Sequence, residues 1–184
     1  MVKKLKDIHR WVGIVIAVYV LMVTISGFTH IIAHNLYPAP KPHEVRVYSG
    51  LGGAKVPPNQ INYGAGLLAL NLRNIDGLIW YQAVFKDKVD YYNASNGLRA
   101  DMDAVFAKQI AADYLGKPAG KAEYVTKFNA EYTAHGHSLP VWRVEADRDW
   151  VYVSTLHGTV EQYLNPPRAL TAQIFRQLHM FNFV

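Results

Sequence analysis

There is no cysteine in this 184-residue chain, which excludes a disulfide framework, a zinc–thiolate or iron–sulfur centre and a thiol nucleophile. Charge is scarce too. Only 18% of residues are Asp, Glu, Lys or Arg while 51% are hydrophobic, a balance too apolar for a disordered segment. The formal net charge of +5 is not a polyanion-binding surface, because Lys3, Lys4, Lys6 and Arg10 against Asp7 supply +3 of it, leaving 15 basic and 13 acidic residues elsewhere. No basic stripe interleaved with aromatics follows, so nucleic acid is not an expected partner. Ser138 and Ser154 lack a Gly-x-Ser-x-Gly context, which argues against a hydrolase. Glu145, Asp147 and Asp149 alternate around a turn and read as a solvated strand edge rather than an acid–base pair. His135 and His137 flank Gly136 and His157 sits in another turn. With no cysteine or converging carboxylates beside them, all three read as solvated loop residues, and no metal site and no catalytic residue are expected.

What the chain has in plenty is one apolar run, opened and closed by histidines: LKDIHRWVGIVIAVYVLMVTISGFTHIIAH, from Leu5 to His34. Between Trp11 and Ile32 only His30 can carry charge near neutral pH. As a helix that stretch extends roughly 33 Å, the depth of a bilayer's hydrocarbon core. A membrane helix over 11–34 is therefore expected, behind a basic N-terminal stretch over 1–10. The lysines before it place the N-terminus in the cytoplasm and the rest of the chain outside. A cleaved secretory signal is the competing reading. The length of the apolar region and the poor cleavage context of ISGFTH favour an uncleaved anchor. Gly13, Ser26 and Gly27 are small enough to let a second helix approach closely, although glycine is common in membrane helices in any case.

A Pro- and Gly-rich linker over 35–56 follows, with a short strand at 45–48, and then a patterned region over 57–165. There the pattern predicts a short helix within PPNQINYGAGLLAL, strands in LIWYQAVF and KVDYYNAS, and a turn at Asn96-Gly97. DMDAVFAKQIAADYLG predicts a helix with Val105, Phe106, Ile110 and Tyr114 on its apolar face, capped by Asp101 or Asp103 and ended by Gly116. Strands in AEYVTKFNAEY, LPVWRVEA, WVYVSTL and TVEQYL complete it. YYNASNG at 91–97 parallels YVSTLHG at 152–158, with Trp80 before the first and Trp142 before the second, so two helix-plus-hairpin units in tandem are expected. The fold class expected is thus an α+β outer domain on a single N-terminal transmembrane helix. The segment over 166–184 begins with Asn165 as cap and Pro166 in the first helical position. Leu170, Ile174, Phe175, Leu178 and Phe181 fall largely on one face and Arg168, Gln173, Arg176 and Gln177 off it, an amphipathic helix suited to a membrane surface or a domain flank.

IHRWVGIVIAVYVLMVTISGF, LPVWRVEADRDWVYVSTLHGTVEQY and FRQLHMFNF, in that order, resemble the first membrane helix, the second half of the outer unit and the motif introducing the next membrane helix of the PepSY-associated transmembrane proteins, a family that includes siderophore-iron reductase-like members. The resemblance implies a bacterial inner membrane, a cytoplasmic N-terminus and a periplasmic main domain of tandem PepSY-like units. Some members bind haem b between their helices, which makes His9, His30, His34 and His179 the candidate cofactor-binding residues. Here the chain ends at Val184, where a second span is expected, so a haem would have to be shared with a partner. Two readings follow. One is an accessory subunit, without a cofactor of its own, that docks on a larger membrane complex through Gly13, Ser26 and Gly27 and the bilayer. The alternative is the haem b-binding part of a transmembrane electron-transfer or ferric-siderophore reductase system.

Overall fold

The computed structural model describes residues 2–40, 52–134 and 136–179, the side chain of His179 excepted. The expected strand at 45–48 and His135 lie outside the described residues. The chain is α+β, with a long apolar N-terminal helix and two antiparallel sheets, and it divides into two compact units, 1–39 with 164–184 and 40–163.

The first unit is a pair of helices. Helix α1 runs Val2–Leu36, and the basic stretch forms its opening turns. Its hydroxyls fold back on their own helix: Thr24 Oγ1 donates to the Val20 carbonyl at 2.8 Å and Ser26 Oγ to that of Val23 at 2.9 Å. Both hydroxyls are thereby paired within an apolar rod. The Tyr37 amide closes the last turn on Ala33 at 3.0 Å, and Pro38 and Pro40 prevent continuation. Helix α3, Pro166–His179, starts as its sequence predicts: Asn165 Oδ1 accepts from the Arg168 amide at 3.0 Å. It packs against α1.

In the second unit, strands β1 (Ala69–Ile75), β2 (Leu78–Val84), β3 (Val89–Asn93) and β4 (Arg99–Ala100) form one antiparallel sheet in chain order. Strands β5 (Ala122–Val125), β6 (Val141–Ala146), β7 (Asp149–Ser154) and β8 (Thr159–Leu164) form the other. Between the strand sets the chain forms helix α2, Asp103–Leu115, ended by Gly116 at φ +67°.

Three expectations are corrected here. The helix expected in PPNQINYGAGLLAL is one 3-10 turn, Pro58–Gln60. Gly64 and Gly66 take φ of +81° and +85° and break it, and from Ala69 the chain enters β1, turning into β2 at Asp76-Gly77 with positive φ at both residues. The strand expected over 122–132 stops at Val125, and Asn129 Oδ1 then caps a turn by accepting from the Glu131 and Tyr132 amides. Helix α2 has no side-chain cap and Val105 is exposed, because its core face is formed by Phe106, Ala107, Ile110 and Ala111.

Helix α2 is the common core of both sheets. Phe106 and Ile110 meet Ile75, Trp80 and Tyr91 of the first sheet. Ala107 and Ala111, small enough for close approach, meet Val144, Val151 and Val153 of the second. Gln109 fastens the helix to the β1–β2 turn, donating to the Asn74 carbonyl at 3.1 Å and accepting from the Asp76 amide at 2.8 Å. The far face of the first sheet, Ile79, Tyr81, Ala83 and Tyr92, is covered by Ala54, Ile61, Tyr63 and Phe85.

Candidate functional site

The anchor candidate is built on α1. Every residue from Val2 to Leu21 is exposed. Further along, Met22, Val23, Ser26, Gly27, Thr29, His30 and Ala33 are wholly or partly covered, a stripe at helical spacing on the half that packs against α3. Ser26 is fully buried and Gly27 partly so, whereas a Cβ added at Gly13 would meet nothing within 4 Å. Of the three expected helix-docking residues, two therefore lie in a helix contact made within this chain, and Gly13 remains open. The partner face on α3 is Pro167, Arg168, Thr171, Ile174, Phe175 and Leu178, while Leu170 is exposed beside Gln173 and Gln177. Leu170 and Arg168 thus exchange the sides expected of them, since the covered stripe is centred on Thr171 and Phe175.

The four candidate histidines separate. His9 is exposed near the start of α1, on a shallow groove lined by Leu5, Lys6, Ile8 and Val12 of that same helix and enclosed by nothing else among the described residues. His30 lies 21 residues further on, ~31 Å along the axis at 1.5 Å per residue. Its ring centroid is 4.6 Å from that of His34 and 4.8 Å from that of Phe175, which stacks on it from α3. The Nδ1 atom of His30 is buried and makes no hydrogen bond among the described residues. His179 is the last residue of α3, and its side chain lies outside the described ones. Axial haem ligands approach iron from opposite faces of the macrocycle. His30 and His34 stand side by side on one helix, so they cannot bracket one. A pairing of either with His179 involves a side chain outside the described ones.

In the second unit, sequence reasoning missed two carboxylates that gather other side chains. Asp103, in the first turn of α2, accepts from Tyr91 Oη and from Trp142 Nε1, each at 2.6 Å, one donor from each sheet. Behind Tyr91 lies Gln82, fully buried, which donates to Tyr91 Oη at 2.8 Å and to the Thr155 carbonyl at 3.0 Å and accepts from Arg73 Nε at 2.9 Å. Arg73 continues to the Leu156 carbonyl at 2.6 Å. Burial, with the Asp103 carboxylate beside it, drives the Tyr91 phenol far above its ordinary ionisation range.

Glu131 is the second. It accepts from Tyr152 Oη at 2.9 Å, from Trp150 Nε1 and from Arg143 Nε at 3.3 Å. Tyr132, fully buried beside it, stacks on Tyr152 at 4.3 Å and on His137 at 4.8 Å. His137 is thus a packed residue, its Nδ1 3.0 Å from the Thr133 carbonyl, not a solvated one. Glu145 pairs with Arg143, and Asp149 with Lys117 Nζ at 2.6 Å. Ser154 Oγ is 3.1 Å from His157 Nδ1, but the serine is buried and closes its own turn, so this pair exposes no nucleophile. The sequence signal for both carboxylates was weak: each is a lone acid whose partners lie in other strands. No model of a known protein family, no curated protein and no solved structure matches this chain.

Proposed function

We propose that the chain is a membrane-anchored accessory subunit: α1 crosses a bacterial inner membrane with its lysines in the cytoplasm, and residues 57–165 form a periplasmic, PepSY-like domain that covers part of a larger membrane complex. The observation that carries this reading is the exposure of α1. Its mean hydropathy reaches 2.2 over an 18-residue window of which 6% is buried. An apolar rod that its own chain leaves bare needs lipid or other helices around it. The small residue Gly13 on the bare half supports helix contact there, because a close approach would meet no side chain. The second unit has a packed core and two internally satisfied carboxylate clusters, which suits a covering role better than a catalytic one. The description as tandem PepSY-like units rests on the order of the quoted motifs.

The absence of cysteine allows a direct test. Single Lys4→Cys and Lys86→Cys variants in intact spheroplasts are treated with a membrane-impermeant maleimide. The reading expects Lys86→Cys to label from outside and Lys4→Cys only after lysis. Native mass analysis of gently solubilised protein should then find it with a partner. Reversed labelling or a lone monomer overturns the reading. A reduced b-type absorption band that disappears in His30→Ala replaces it with the electron-transfer alternative.

A further inference from the structure

We propose that His30 and His34 form a two-imidazole site for a late first-row divalent transition-metal ion, such as Cu²⁺, at the C-terminal end of α1. Three observations meet there. The two residues are four apart on one helix, the spacing that brings side chains over one another and that metal-binding helices use for histidine pairs. Metal–imidazole bonds of about 2 Å put each ring centroid about 3 Å from the ion, so neighbouring ligands hold their centroids about 4.5 to 5 Å apart. The observed separation is 4.6 Å, and the planes are tilted by 53°, so the rings are splayed rather than stacked.

The third observation is the His30 Nδ1 atom, buried without a hydrogen-bond partner among the described residues. A buried polar atom left unpaired costs free energy and calls for an explanation. A metal ion at Nδ1 supplies one. Phe175 stacks on the His30 ring and restrains it, while His34 is exposed and gives the ion a path from solvent. No cluster of three or more His, Cys, Asp or Glu side chains gathers among the described residues, so the two imidazoles are the ligands the proposal rests on. Imidazole nitrogen and the Irving–Williams order favour Cu²⁺ over Zn²⁺ and Mn²⁺. The inference does not depend on the accessory-subunit reading.

The test is a Cu²⁺ titration of the full chain in mild detergent, without haem, followed by calorimetry and by electron paramagnetic resonance. Wild-type protein should show a site with two imidazole nitrogens. His30→Ala and His34→Ala should each weaken it about 100-fold, because one ligand then loses the effective concentration supplied by the other. His9→Ala should leave it unchanged. His135 and His137 are retained in every variant, so any copper they hold cancels in the comparison. Far-UV circular dichroism, with His34→Gln as a second variant, separates lost ligation from lost helix. Equal copper affinity in wild type, His30→Ala and His34→Ala would overturn the proposal.

Discussion

The two sheets end their third strands in the same way and yet present opposite sides to the helix between them. In the first, the Gly97 amide donates to the Asn93 carbonyl at 2.7 Å with φ +75° at the glycine. In the second, the Gly158 amide donates to Ser154 at 2.8 Å with φ +72°. These are the turns of the two parallel motifs. Tyr91 of the first motif nevertheless faces α2, while Tyr152 of the second stacks on Tyr132, away from the valines that meet α2. Tyr91 follows Trp80 by 11 positions and Tyr152 follows Trp142 by 10. One residue is enough, because side chains alternate faces along a strand. Trp80 pairs with Asn93 and Trp142 with Val153, so both tryptophans share the α2 side while the tyrosines part. A motif repeated at the level of turns does not carry its faces with it.

The largest expected effect separates the two carboxylates. Asp103→Ala strands the buried Tyr91 donor and the half-buried Trp142 donor, one from each sheet, and is expected to destabilise the chain by about 2 to 3 kcal/mol. Glu131→Ala acts on a side chain 33% exposed, where water replaces part of what is lost, and is expected to cost about 1 to 2 kcal/mol. Urea unfolding of the full chain in mild detergent, followed by tryptophan fluorescence, checks both. Equal losses would mean that α2 does not tie the sheets together through Asp103.

Next come the glycines of the shared turn. An alanine at either position meets backbone strain from positive φ, about 1 kcal/mol. At Gly97 the added carbon finds ordinary contact with Ile61 and Val56 at 3.8 Å. At Gly158 it comes within 3.3 Å of Arg73 Nη1 and 3.9 Å of Phe106, and Arg73 is held by Gln82 and the Leu156 carbonyl. Gly158→Ala should therefore unfold at lower urea than Gly97→Ala, by roughly 0.5 to 1 kcal/mol. The reverse order would show that the Arg73 network yields more readily than the turn.

Much of this fold was legible in local pattern. The apolar run gave α1 its position, and Asn165-Pro166 marked the start of α3. Gly116 marked the end of α2. Strand β1 was hidden by leucines that suit a helix as well, although Asp76-Gly77 carried a hairpin signal. The candidate site was less legible. His30 and His34 were visible as a spaced pair, but Phe175 over His30 depends on how two distant helices meet. Asp103 looked like a helix cap because its true partners, Tyr91 and Trp142, are 12 and 39 residues away. Long-range pairing of side chains leaves no periodicity to read.

The smallest effect at neutral pH is the one that compares the tyrosines themselves. Burial, then the bond to Glu131, raises the Tyr152 phenol as burial and Asp103 raise that of Tyr91. Tyr132 is pushed up to about 12, chiefly by burial and then by Glu161. Below the ordinary tyrosine value near ~10 all three are neutral whether folded or unfolded, so stability there does not change with their titration. Above it the unfolded chain releases protons that the folded chain keeps. The unfolded state then binds fewer protons, so stability falls as pH rises from about 10 for all three, a decline that ends for Tyr132 near about 12 and continues for the other two. Urea midpoints measured from pH 8 to pH 11.5 should be flat at first and then decline. Because Tyr91 and Tyr152 lie on opposite sides of their sheets yet each donates to a carboxylate, Tyr91→Phe and Tyr152→Phe should each make that decline shallower. If only one does, the two tyrosines differ in more than the face they occupy, and the carboxylate clusters are not equivalent restraints.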